Sequence, residues 1–173
     1  MLFDHKESKF ENMVRAYSAD LYRFTYWLCR DRNLAEDLVQ ETFARAWNAW
    51  HTLKNEKTVK SWLFTIARNE HARLYERKHI EIDSEQELDN VLASYQSNIQ
   101  SNIEMEQLLR TLPQSYREPL LLQILGGFSC AEIGTMLALT EGTVMTRLTR
   151  ARQALRKLIQ SDSKWMEQEN GLS

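Results

Sequence analysis

The chain has 173 residues, of which 43% are hydrophobic and 27% charged, with only five glycines and two prolines. A typical chain of this length carries about twelve glycines and about nine prolines. Tight turns are therefore scarce, which excludes a β-sandwich or a doubly wound sheet and points to an all-α fold. The formal charge of −2 is unevenly spread: +3 over residues 1–80, −7 over 81–106, +4 over 107–160 and −2 over 161–173. Two basic blocks flank an acidic spacer. This division predicts two small helical domains, residues 8–80 and 107–160, joined by a flexible acidic linker at 81–106 and followed by a frayed tail at 161–173.

The opening MLFDHKESKF has no apolar leader, and no later stretch approaches the roughly 18 apolar residues of a membrane span. Cys29 and Cys130 stand far apart with no CxxC spacing, which suits two buried free thiols in a reducing compartment. Both features predict a cytoplasmic protein.

In the first block Phe10, Met13, Val14, Tyr17, Leu21, Phe24 and Leu28 recur at helical spacing. Asp31 and Asn33 can cap a second helix whose stripe is Leu34, Leu38, Val39, Phe43, Ala46, Trp47 and Trp50. The polar segment from His51 to Lys60 reads as a loop, and Trp62, Leu63, Ile66, Ala67 and Leu74 mark a third helix. Three helices with aromatic apolar faces predict a compact bundle. The spacer is rich in Ser, Asn, Gln and acids and holds only a weak apolar rhythm.

In the second block Pro113 and Pro119 bracket a helix start, with Pro119 expected near the first turn because an interior proline removes a backbone hydrogen bond. That helix should stop at Gly126-Gly127. Ser129 and Glu132 form an S-x-x-E capping box for a short helix, and Thr140 can cap the next, from Glu141 to about Ile159. Two helices joined by Leu139 to Gly142, the second one basic, have the form of a helix-turn-helix. On that second helix Val144, Leu148, Ala151, Leu155 and Leu158 form an apolar stripe, while Thr146, Thr149, Arg150, Gln153, Arg156 and Lys157 face the other way. Hydroxyls, an amide and guanidinium groups on one exposed face suit a DNA major groove.

With these elements placed, the chain resembles the group IV, extracytoplasmic-function (ECF) family of bacterial RNA polymerase sigma factors, within the sigma-70 superfamily. AEDLVQETFARAWNAW followed by SWLFTIARNEHARLYERK resembles the family's region 2, and LRTLPQSYREPLLLQILGGFSCAEIGTMLALTEGTVMTRLTRARQALRKLI resembles region 4. The resemblance implies a factor that binds core RNA polymerase, recognises minus-thirty-five and minus-ten promoter elements, initiates transcription and is held in check by an anti-sigma factor. It implies that Asp37, Gln40 and Glu41, in DLVQE, contact the polymerase clamp. It implies that the His51–Lys60 loop and the following helix act on minus-ten DNA. There Lys54, Lys57, Lys60, Arg68, Arg73, Arg77 and Lys78 would form an electrostatic track, and Asn55, Thr58 and Asn69 would meet bases. It implies minus-thirty-five contacts by Thr146, Thr149 and Arg150, with Gln153 on the same face and Arg147 on the DNA backbone. Met145 departs from the family pattern, which has a basic residue there.

Catalysis finds no motif: no HExxH, Walker loop or GxSxG is present, and no cysteine pair accompanies His5, His51, His71 and His79, so neither an enzyme, a metal site nor a cofactor is expected. His71 and His79 read as polar helix-surface residues. The alternative function is a conventional helix-turn-helix regulator acting without core polymerase, which would account for residues 107–160 and leave DLVQETF without a role.

Overall fold

A computed structural model of the chain describes residues 2–76, 88–89 and 105–170. Most of the acidic spacer lies outside the described residues, as do Arg77, Lys78 and His79. Among the described residues the structure is helical and contains no strand. Helices α1 (Leu2–Cys29), α2 (Arg32–Asn48) and α3 (Val59–Glu76) make the first bundle. Helices α4 (Met105–Thr111), α5 (Gln114–Ile124), α6 (Cys130–Leu137) and α7 (Glu141–Asn170) make the second.

The first bundle forms because each helix carries an apolar stripe wide enough to cover the other two. Leu21, Phe24 and Leu28 of α1, Ala35, Leu38 and Ala46 of α2, and Leu63, Phe64 and Ala67 of α3 are buried together. The α1–α2 junction is sharp: Arg30 takes a positive φ of 58°. Asp31 then caps α2, its carboxylate accepting from the Leu34 N–H at 2.9 Å. Two polar side chains share this core. The Thr25 hydroxyl donates to the Leu21 carbonyl at 2.9 Å and that of Thr42 to the Leu38 carbonyl at 2.6 Å, so neither is buried without a partner. Leu74, expected on the α3 stripe, is instead 46% exposed in the last turn of α3.

In the second bundle the Ser129–Glu132 capping box is complete, with both reciprocal bonds formed. Thr140 caps α7 through the Thr143 N–H at 3.1 Å. Between them Ala138 adopts the left-handed conformation, and the Leu139 N–H returns to the Gly134 carbonyl at 2.8 Å. Gly134 is required by this tight turn, because a Cβ there would stand 2.8 Å from the Leu139 carbonyl oxygen.

Two expectations are corrected. Pro119 lies well inside α5, as its sixth residue, because Pro113 is the N-cap and its carbonyl accepts from the Arg117 N–H at 2.9 Å. The helix α7 does not stop near Ile159 but continues to Asn170, so the backbone of 161–170 is helical rather than frayed. Within the spacer, read as a linker that is partly helical at most, Leu88 and Asp89 are helical, and Leu88 is buried beside Tyr116 and Ala154 of the second bundle.

The two bundles also meet each other. The rings of Phe64 on α3 and Phe128, in the turn after α5, pack edge to face with centroids 5.2 Å apart, and one continuous core runs through both. Gly126 makes room for Phe128, whose ring atoms would otherwise lie 2.4 Å from a Cβ at that position.

Candidate polymerase and promoter surfaces

On α2 the apolar stripe faces inward and leaves Asp37, Gln40 and Glu41 exposed on one side of the helix. Glu41 pairs with Arg45 at 2.8 Å, and Arg45 also reaches Glu70 of α3 at 2.7 Å. The structure thus brings the three residues together as a polar, partly ion-paired surface.

The segment between α2 and α3 is more ordered than an open loop. It holds two short 3-10 turns, Trp50–Thr52 and Glu56–Thr58. Asn55 caps the second turn, accepting from the Lys57 N–H at 2.9 Å, and the Thr58 hydroxyl donates to the Asn55 carbonyl at 2.8 Å. Their polar atoms therefore shape the turn, while Lys54 and Lys57 stand exposed on it. Lys9 of α1 binds Glu56 at 2.7 Å, holding that carboxyl below its usual range and tying the turn to α1. Beside this tie is a groove of about 300 Å³ lined in part by Tyr17, Trp50, Leu53 and Val59.

Along α3 the basic residues separate. Lys60 lies 3.9 Å from Asp20 and within 5.8 Å of the Phe64 and Phe128 ring centres. Arg73 is exposed and pairs with Glu70 at 3.3 Å. Arg68 turns toward the second bundle, where its Nε donates to Glu118 at 2.8 Å while its terminal nitrogen reaches the Asn69 side-chain oxygen at 3.2 Å. Asn69 remains exposed.

Glu118 is the residue the sequence reading missed. Only 5% exposed, it is pushed upward in pKa by burial, and the guanidinium groups of Arg68, Arg117 and Arg147 pull it back in part. His71, expected on the surface, is fully buried at the same seam, with the Gln114 amide nitrogen 3.5 Å from its Nδ1. Burial lowers its pKa to about 4, with further contributions from Arg117 and Arg68. The clue was available: α3 places His71 four residues after the core Ala67, on its buried stripe.

On α7 Thr146, Thr149 and Gln153 are exposed, as the periodicity predicts, and so is Met145. Arg150 is half-buried and, with Gln153, Lys157 and Asp89 of the spacer, lines a groove of about 270 Å³. Arg147 has an internal partner: it donates to the Ser115 carbonyl at 3.4 Å. That carbonyl is the one an ordinary residue at position 119 would have bonded, four residues on, and Pro119 cannot. Arg152 bonds Gln123 on α5, further fixing α7 on its support. Among the described residues no group of His, Cys, Asp and Glu side chains is arranged to hold a metal, and no helix is long and apolar enough to cross a membrane.

Comparison with known proteins matches the two bundles separately. The sigma-70 region 2 family matches residues 13–79 and the sigma-70 region 4 family residues 102–155. The ECF RNA polymerase sigma factor SigM of Bacillus subtilis is 36% identical over 156 residues, covering 86% of this chain and 93% of SigM. SigX of the same organism is 27% identical over 165 residues, covering 87% of this chain and 84% of SigX. Among solved structures, the sigma factor RpoE bound to the anti-sigma factor NepR from Bartonella quintana aligns with a TM-score of 0.68 and 26% identity, over 89% of this chain and 98% of that one. CnrH in complex with the cytosolic domain of CnrY aligns with a TM-score of 0.68 and 25% identity, over 90% of each chain. A conventional helix-turn-helix regulator would leave the match of the first bundle to region 2 unexplained. The chain belongs to the ECF family of RNA polymerase sigma factors.

Proposed function

We propose that the protein acts in the cytoplasm as a promoter-specificity subunit without covalent chemistry of its own, and that its surfaces divide the work by bundle. Residues 8–80 bind core polymerase through Asp37, Gln40 and Glu41 and engage minus-ten DNA through Lys54, Lys57, Lys60, Arg68, Asn69, Arg73 and Arg77, with Asn55 and Thr58 shaping the turn. Residues 107–160 read the minus-thirty-five duplex through Thr146, Thr149, Arg150 and Gln153, residues 81–106 connect the two, and 161–170 extend α7. Arg68 stays 28% exposed while its Nε is bonded to Glu118, so DNA and Glu118 share or compete for the one guanidinium. An anti-sigma factor, of the kind bound to the structural neighbours, is the expected negative regulator.

The observation that carries this reading is the exposed acidic face of α2 in a chain that also presents a capped helix-turn-helix. The test reverses charge on that face. The double variant Asp37→Lys, Glu41→Lys should fold as the wild type does, because both side chains are exposed. Its affinity for core polymerase should collapse, since like charges at an interface cost several kcal/mol. An unchanged affinity of the folded variant overturns this placement of the polymerase surface.

A further inference from the structure

The exposed part of the recognition helix offers less hydrogen-bonding than its sequence suggests. The Thr146 hydroxyl donates to the Gly142 carbonyl at 3.0 Å, and that of Thr149 donates to the Met145 carbonyl at 2.9 Å. Each hydroxyl proton is committed to the helix backbone, which leaves the oxygens able only to accept. In a major groove an acceptor is satisfied by an amino group, N6 of adenine or N4 of cytosine.

Beside these two hydroxyls stands Met145, 54% exposed and outside the apolar stripe that packs α7 against its neighbours. It precedes Thr146 directly and lies one turn before Thr149, so the three share one patch of the first two turns. A thioether there cannot bind a phosphate or donate to a base edge. The one apolar feature of the major groove is the thymine C5-methyl, and it accompanies the adenine amino group on the same base pair.

We infer that Met145 is a specificity-determining residue that packs on a thymine methyl of the minus-thirty-five element, with Thr146 and Thr149 accepting from amino groups of the neighbouring bases. The inference rests on the assignment of α7 to the minus-thirty-five duplex and adds the chemistry by which α7 chooses. It also gives the departure from a basic residue at this position a consequence: a charge-driven contact is exchanged for a methyl-selective one.

Holoenzyme reconstituted from the full chain and core polymerase is used to select duplexes from a library randomised across the minus-thirty-five element. Each thymine of the selected element is then replaced singly by deoxyuridine, which removes the 5-methyl group alone. At one or two positions the replacement should weaken binding by wild-type holoenzyme about fourfold, the equivalent of about 0.8 kcal/mol for one buried methyl-sized group. Met145→Ala holoenzyme should be indifferent to deoxyuridine at those positions, and Met145→Leu should remain sensitive. Met145→Arg should lose the sensitivity and bind with a steeper salt dependence. A selected element without thymine, or a deoxyuridine penalty equal in wild type and Met145→Ala, overturns the inference while leaving α7 as the reader. If no sequence is selected in that region, the assignment of α7 fails as well.

Discussion

The seam between the bundles should respond to acid through His71, and the structure sets both the sign and the size of the response. Its pKa lies at about 4 in the folded chain against an ordinary 6.5, first because it is buried and then because Arg117 and Arg68 lie close. As pH falls through 6.5 the unfolded chain takes up the proton and the folded chain does not. Stability from this residue is therefore complete above pH 6.5 and is lost progressively toward pH 4, a total of about 3 kcal/mol. The slope within that window is at most about 1.4 kcal/mol per pH unit, the value for one proton. Glu118, across the seam, acts in the opposite sense: its raised carboxyl favours the folded state at low pH, and that share declines as pH rises past the ordinary 4.5. Because Glu118 titrates in both proteins, comparing the wild type with His71→Gln isolates the histidine. Urea unfolding of each at intervals from pH 7.5 to 4.5, with ionic strength held constant, should give curves that diverge below pH 6.5, the wild type losing the extra stability. Parallel curves would refute the claim that His71 is buried as a neutral ring against Gln114 and the two arginines.

Two other perturbations test how the recognition helix is supported. Arg147→Ala leaves the Ser115 carbonyl without its donor, and should lower stability by about 1–3 kcal/mol, the cost of an unsatisfied partly buried group. In a Pro119→Ala background, where a backbone N–H can reach that carbonyl, the same change should cost at least about 0.5 kcal/mol less, and additive effects in a denaturant-based double-mutant cycle would exclude the link. Gly134→Ala introduces a Cβ 2.8 Å from the Leu139 carbonyl oxygen, where only backbone can give way. It should lower Tm and weaken duplex promoter binding by the holoenzyme together, whereas a normal Tm with normal binding would show that the turn accommodates the methyl group.

Features that depend on neighbours in sequence were legible without the structure. Glycine and proline scarcity with three- and four-residue apolar spacing determines an all-α chain. The Ser129–Glu132 box, the Thr140 cap and the Asp31 cap each link residues three apart, so the local backbone alone brings their atoms together. The exposed faces of α2 and α7 follow from the same periodicity. What only tertiary structure decided joins distant positions. Arg68 and Glu118 are 50 residues apart, and nothing local to either distinguishes an interior ion pair from a DNA-facing arginine and a solvated acid. His71 looks polar in isolation and is buried where α3 meets the second bundle, with the Gln114 amide 3.5 Å from its ring. By sequence Pro119 suits a helix start, because an interior proline leaves a carbonyl unbonded. The fold admits it inside α5 by supplying Arg147, 32 residues from Ser115, to that carbonyl. Periodicity tells which face of a helix is covered, but the partner on that face, and hence the fate of each buried charge and orphaned carbonyl, is set when the two bundles pack.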